Sequence, residues 1–113
     1  MPSFVKIEKG IVDKKTFDQH ISAHIEYIQS LNLCGHQAKT GYWADGGGGM
    51  LIFEAKNMQE AQEIVNNDPL IKNNCVTYEL HEWKIVVDHQ EDLVEESEIT
   101  FDTPSDDPNI ITF

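Results

Sequence analysis

Apolar residues along the chain repeat with two different periods, and the switches between them mark the elements. Ser3-Phe4-Val5-Lys6-Ile7-Glu8 mixes apolar and polar positions in the manner of a short strand that ends at Gly10. Beyond it the spacing lengthens. Phe17, Ile21, Ile25, Ile28 and Leu31 recur at intervals of three and four, or near multiples, which predicts one apolar stripe along a helix. Thr16-Phe17-Asp18-Gln19 has the form of a capping box at its start, with Asp13 as a rival cap, and Gly35 stands where the helix should stop. Residues 38–45 read as a second strand, 46–49 as a flexible glycine connection, and 50–55 as the clearest strand, apolar enough to be central. Asn57 caps a second helix, with Glu60 reaching back and Ala61, Ile64 and Val65 on its inner face. Asn66-Asn67-Asp68-Pro69 ends that helix, because a residue before proline is driven out of helical space. Residues 76–87 have room for one long strand rich in β-branched and aromatic residues.

The order β-α-β-β-α-β is the split βαβ pattern of ferredoxin-like domains, an α+β fold with two helices on one face of a four-stranded antiparallel sheet. Phe4, Tyr42, Trp43, Phe53, Tyr78 and Trp83 lie on the strands. Strand residues alternate, so some of them must point away from the helices. An exposed aromatic face on so small a sheet predicts a homodimer.

Charge divides the chain in two. Residues 1–87, the expected domain, carry eight lysines against eleven acids, net −3; residues 88–113 carry nine acids and no base, net −9. There is no arginine. Clustered cations to displace phosphate counterions are missing, as is the guanidinium fork that grips phosphates, so nucleic acid and anionic membrane surfaces are not expected partners. No stretch approaches the roughly 18 consecutive apolar residues of a membrane span. Met1-Pro2-Ser3-Phe4 lacks the layout of a secretory signal, and Cys34 and Cys75 lack metal-finger spacing, which together point to a cytoplasmic protein with two reduced thiols. The acidic C-terminal extension reads two ways. Its composition is that of a solvated segment. However, Ile99, Phe101, Ile110, Ile111 and Phe113 are costly to leave in water, which supports equally a docked tail, for instance one lying on the partner subunit.

Candidate chemistry centres on His24. It falls inside the apolar stripe, where an imidazole loses water and needs a partner. Two readings stand: a core histidine satisfied by a backbone carbonyl, or an acid–base catalyst, since histidine alone titrates near neutrality unperturbed. Asp68 beside Pro69 is either a turn former or the partner of that histidine. Antiparallel helices on one sheet face bring the end of the second near the first half of the first. A carboxylate there would fix the tautomer of the imidazole and raise its basicity, as in nucleophile triads. No serine or cysteine is placed as a nucleophile, so proton transfer is favoured over acyl transfer. The glycine run is not a phosphate loop, for no Lys-Ser/Thr follows it and the next element is a strand. His20 and His24 stand one helical turn apart but lack the glutamate of His-Glu-x-x-His, so neither a metal nor a cofactor is expected.

These residues resemble the YCII-related (YciI-like) family. The likeness rests on His24-Ile25-Glu26-Tyr27-Ile28-Gln29-Ser30-Leu31 followed by Gly35, on Gly41, and on Gly48-Gly49-Met50-Leu51-Ile52-Phe53-Glu54-Ala55. It continues through Glu60-Ala61, Asp68-Pro69-Leu70 and residues 76–83, while the family's Gly-Pro after the second strand is Gly41-Tyr42 here. The resemblance implies a ferredoxin-like fold that dimerises through its sheets into an α+β barrel, and a His–Asp pair that maps onto His24 and Asp68. One branch of the family resembles dehydrochlorinases of chlorinated hydroxyhydroquinones. The leading expectation is therefore acid–base chemistry of the lyase or isomerase kind on a small cyclic or aromatic molecule. Tyr27, Tyr42, Trp43 and Gly49 would line its pocket, and the Gly46-Gly47-Gly48-Gly49 run would gate it. The competing expectation is a non-catalytic ligand-binding or assembly module in which His24 and Asp68 brace the helices.

Overall fold

Phe4, Lys6 and Glu8 share one parity on the first strand, Val5 and Ile7 the other, and this alternation orients the whole sheet. A computed structural model describes residues 1–89. Strand β1 (Ser3–Gly10) lies at the centre, antiparallel to β3 (Gly48–Glu54) on one side and β4 (Val76–Trp83) on the other, and β2 (Lys39–Tyr42) pairs with β3. The sheet order is β2-β3-β1-β4, so β3, the strand expected to be central, is internal, as is β1. Phe4, Leu51 and Phe53 enter the core on the helix side with Ile28, Leu31, Ala61, Ile64 and Val65, and the Phe4 and Phe53 rings stack at 5.9 Å.

The single first helix expected from the sequence is two helices, α1 (Lys14–Asp18) and α2 (Ile21–Leu33), broken at Gln19-His20. Asp13 is the cap used, accepting from Thr16 N at 2.8 Å; Thr16 itself lies inside α1. The break has a packing cause. Phe17 joins a satellite cluster with Val12, Leu70, Cys75 and Val76, whereas Ile28 and Leu31 belong to the main core, and one straight helix does not serve both. Ile25 also leaves the predicted stripe, at 50% exposure. At about 100° per residue Ile28 and Leu31 lie within about 40° of His24, so the imidazole sits in the middle of the buried arc and Ile25 outside it. Gly35 at φ +86° ends α2 as expected, with Gly35 N donating to Asn32 O and His36 N to Leu31 O.

Two further boundaries differ. Strand β2 is shorter than residues 38–45, because a turn closed by Gly46 N donating to Trp43 O begins at once, with Gly46 and Gly47 at positive φ. Gly48 and Gly49 belong to β3 rather than to a connection, paired with Lys9 and Glu8. A Cβ at Gly48 would stand 2.2 Å from the Glu8 carbonyl oxygen, which is why a strand here tolerates glycine. Helix α3 (Met58–Asn66) is capped by Asn57, and Glu60 reaches back to Lys56 N at 2.9 Å. Strand β4 stops at Trp83 instead of running to Val87.

On the sheet face away from the helices stand Val5, Ile7, Met50, Ile52 and Trp83, partly exposed. Among the described residues no helix is long and apolar enough to cross a membrane. The expectation of a docked acidic tail falls on residues 88–113, almost all outside the described residues.

Candidate functional site

The site forms where α3 gives way to the short helix α4 (Pro69–Lys72). Pro69 suits the first helical position because it has no N–H to satisfy, and it holds Asp68 in extended backbone as the N-cap. Asp68 Oδ1 accepts from Leu70 N at 2.9 Å, as an N-cap carboxylate should. The same oxygen accepts from His24 Nδ1, also at 2.9 Å, across 44 residues of sequence. Its other oxygen, Oδ2, accepts from Lys6 Nζ at 2.6 Å. Asp68 and Lys6 are fully buried, and His24 is 7% exposed.

Lys6 is shared. Its ammonium lies 3.1 Å from Glu8 Oε2, but without hydrogen-bonding geometry, and that oxygen is buried with no hydrogen-bond partner. The cluster therefore runs from Glu8 through Lys6 and Asp68 to His24, linking β1, the α4 cap and the first turn of α2. Tyr27 lies one turn from His24, ring centroids 6.3 Å apart, and its hydroxyl donates to Ile64 O on α3.

Burial pushes the Asp68 carboxyl upward, but the His24 hydrogen bond and the adjacent Lys6 ammonium outweigh it and hold the group below the ordinary carboxylate range. Burial, then the charges of Asp68 and Glu8, push the Tyr27 phenol well above its ordinary value. An ionised Asp68 only accepts hydrogen bonds, so a neutral His24 must carry its proton on Nδ1. Its Nε2, which has no hydrogen-bond partner among the described residues, keeps the lone pair.

The other residues singled out in the sequence are not gathered here. Gly49 pairs with Glu8 in the sheet, beside the cluster. Tyr42 is 85% exposed. Trp43, just beyond the end of β2, lines with Ile7, Glu8, Gly46, Gly47, Thr77 and Tyr78, among others, a cleft of about 560 Å³. The glycine turn thus borders that cleft, and His24 and Asp68 do not line it. No group of three or more His, Cys, Asp or Glu side chains among the described residues is placed to hold a metal ion.

Lys6 and Glu8 are the members that sequence reasoning missed. The signal was present in their parity with Phe4, which puts two charged side chains on the face that must be buried. Charged residues at core positions are rare unless paired.

The chain is similar to the uncharacterized protein YjpA of Bacillus subtilis (strain 168), 29% identical over 72 residues that cover 64% of this chain and 85% of YjpA. Its fold is similar to that of 5-chloro-2-hydroxyhydroquinone dehydrochlorinase (TftG) from Burkholderia phenoliruptrix, solved in complex with 2,5-dihydroxybenzoquinone. That likeness has a TM-score of 0.60 at 23% identity, over 73% of this chain and 93% of that one. A model of the YCII-related domain matches residues 5–84, from within β1 to just past the end of β4, and the chain belongs to that family.

Proposed function

We propose that this protein performs general acid–base chemistry on a small cyclic or aromatic molecule, with His24 transferring the proton and Asp68 orienting it. The observation that carries this reading is the 2.9 Å hydrogen bond from His24 Nδ1 to a buried carboxylate whose second oxygen is held by Lys6. With Nδ1 committed, Nε2 takes a proton from a C–H or O–H of the ligand, and Asp68 stabilises the imidazolium that forms. Return of that proton to a different atom completes an isomerisation. Departure of chloride from the adjacent carbon instead completes loss of HCl.

The ligand class is supported by TftG, whose name gives a chlorinated hydroxyhydroquinone as substrate and whose structure holds a dihydroxybenzoquinone. A second copy of the chain on the face of Val5, Ile7, Met50, Ile52 and Trp83 belongs to the same proposal, because a partly exposed apolar sheet face is stabilised by burial.

The bracing reading is favoured by a specific observation too: Asp68 alone ties together β1, α2 and α4. Binding of 2,5-dihydroxybenzoquinone, followed by NMR on the histidine rings, separates the two. Acid–base chemistry at this site predicts saturable shifts of the His24 resonances. It also predicts at least about tenfold weaker binding in His24→Gln, equivalent to about 1.4 kcal/mol. Shifts confined to other histidines, or affinity indifferent to His24→Gln, would leave the bracing reading in place.

A further inference from the structure

Glu8 is the part of the cluster that the proposed chemistry does not use. Its Oε2 is buried and lacks a hydrogen bond, a condition that costs free energy and needs a compensating reason. The contact with Lys6 is asymmetric. Lys6 Nζ makes a hydrogen bond of 2.6 Å to Asp68 but meets Glu8 at 3.1 Å out of line, so Glu8 supplies charge to the ammonium and little direction.

We infer that Glu8 is a positioning residue for the His24–Asp68 pair, whose carboxylate offsets the Lys6 ammonium and so leaves the charge of Asp68 directed at the imidazole. Without Glu8, the whole Lys6 charge would act on Asp68 at 2.6 Å in a site that water does not screen. Asp68 would then be a poorer acceptor for His24 Nδ1–H, and Nε2 a weaker base. The charged and titratable groups around the ring are Asp68 from the α4 cap, Lys6 and Glu8 from β1, and Tyr27 from α2 itself. After burial, the charges of Asp68 and Glu8 push the Tyr27 phenol up, one turn from His24, in keeping with Glu8 acting on that side of the cluster.

The inference rests on the acid–base reading for its meaning in catalysis, but the test needs no substrate. Glu8→Gln keeps the volume and removes the charge, and Asp68→Asn serves as the reference. Proton and nitrogen NMR of the full chain would follow the His24 Nδ1–H resonance, which lies further downfield the stronger its bond to a carboxylate. In Glu8→Gln we expect that resonance to move upfield with the other four histidines unmoved and the thermal midpoint near that of the wild type. In Asp68→Asn the same resonance should move further or be lost. An unmoved resonance in Glu8→Gln, with a clear change in Asp68→Asn, overturns the role given to Glu8 and spares the pair. No change in either variant overturns the pair itself.

Discussion

Lys6→Met is expected to destabilise the fold by about 3–5 kcal/mol, the usual consequence of removing one partner from a buried ion pair. Methionine fills the volume of the lysine stem, so a cavity is not the cause. The cost arises because Asp68 Oδ2 and Glu8 Oε2 would both stay buried without the cation they share. Urea unfolding of wild type and variant measures it directly. The double variant Lys6→Met/Asp68→Asn should recover part of the loss, because it also removes one of the stranded charges, and contacting residues do not add. A loss under about 1 kcal/mol for Lys6→Met, within the range of exposed pairs, would show that Lys6 is not the cation that balances the cluster.

Asp68→Ala should cost a similar amount, again about 3–5 kcal/mol, of which an N-cap accounts for about 1. It removes at once the acceptor of Lys6 Nζ, His24 Nδ1–H and Leu70 N–H. Asp68→Asn should cost less, since the amide oxygen still accepts from one or two of them. A pH dependence follows from the charge state of Asp68. Its carboxyl is held lower in the folded protein than in the unfolded chain, so the unfolded state binds its proton first as the solution is acidified. The stability it contributes is therefore fully present above the unfolded carboxylate value of about 4 and is lost as the pH falls through the lower folded value. Unfolding midpoints should fall below pH 4 more steeply in the wild type than in Asp68→Asn. Parallel curves for the two proteins would contradict this.

The legible and the illegible parts of the chain differ in physical kind. Local signals read well. The alternation of β1, the apolar run of β3, the Asn57 cap, Gly35 at the end of α2 and the arrest before Pro69 each depend on a few neighbouring residues. Together with the order of elements they were enough for the ferredoxin-like sheet. The break between α1 and α2 was hidden because Phe17 keeps helical spacing with Ile21 and Ile28 yet packs in a different cluster, and clusters are properties of the folded chain. At the site, His24 betrayed itself by lying within an apolar arc, and Asp68 by its place before a proline. Lys6 was overlooked because a lysine in an alternating strand is ordinarily the solvated half of the pattern, and here it occupies the inner half. Tyr42 and Trp43 were both expected to line the pocket, but Tyr42 at the end of β2 is largely exposed and Trp43 just beyond it borders a cleft that His24 and Asp68 do not line.

The proposed role of His24 requires its imidazole to donate a hydrogen bond from Nδ1–H to Asp68 and to keep the Nε2 lone pair free. Long-range proton–nitrogen correlation spectra, recorded where the ring is neutral, distinguish the two tautomers of each histidine. For His24 the expected result is a protonated Nδ1 beside an unprotonated Nε2 in the wild type, shifting toward the ordinary mixture of tautomers in Asp68→Asn. A wild-type ring protonated on Nε2, or one that Asp68→Asn leaves unaltered, would contradict it.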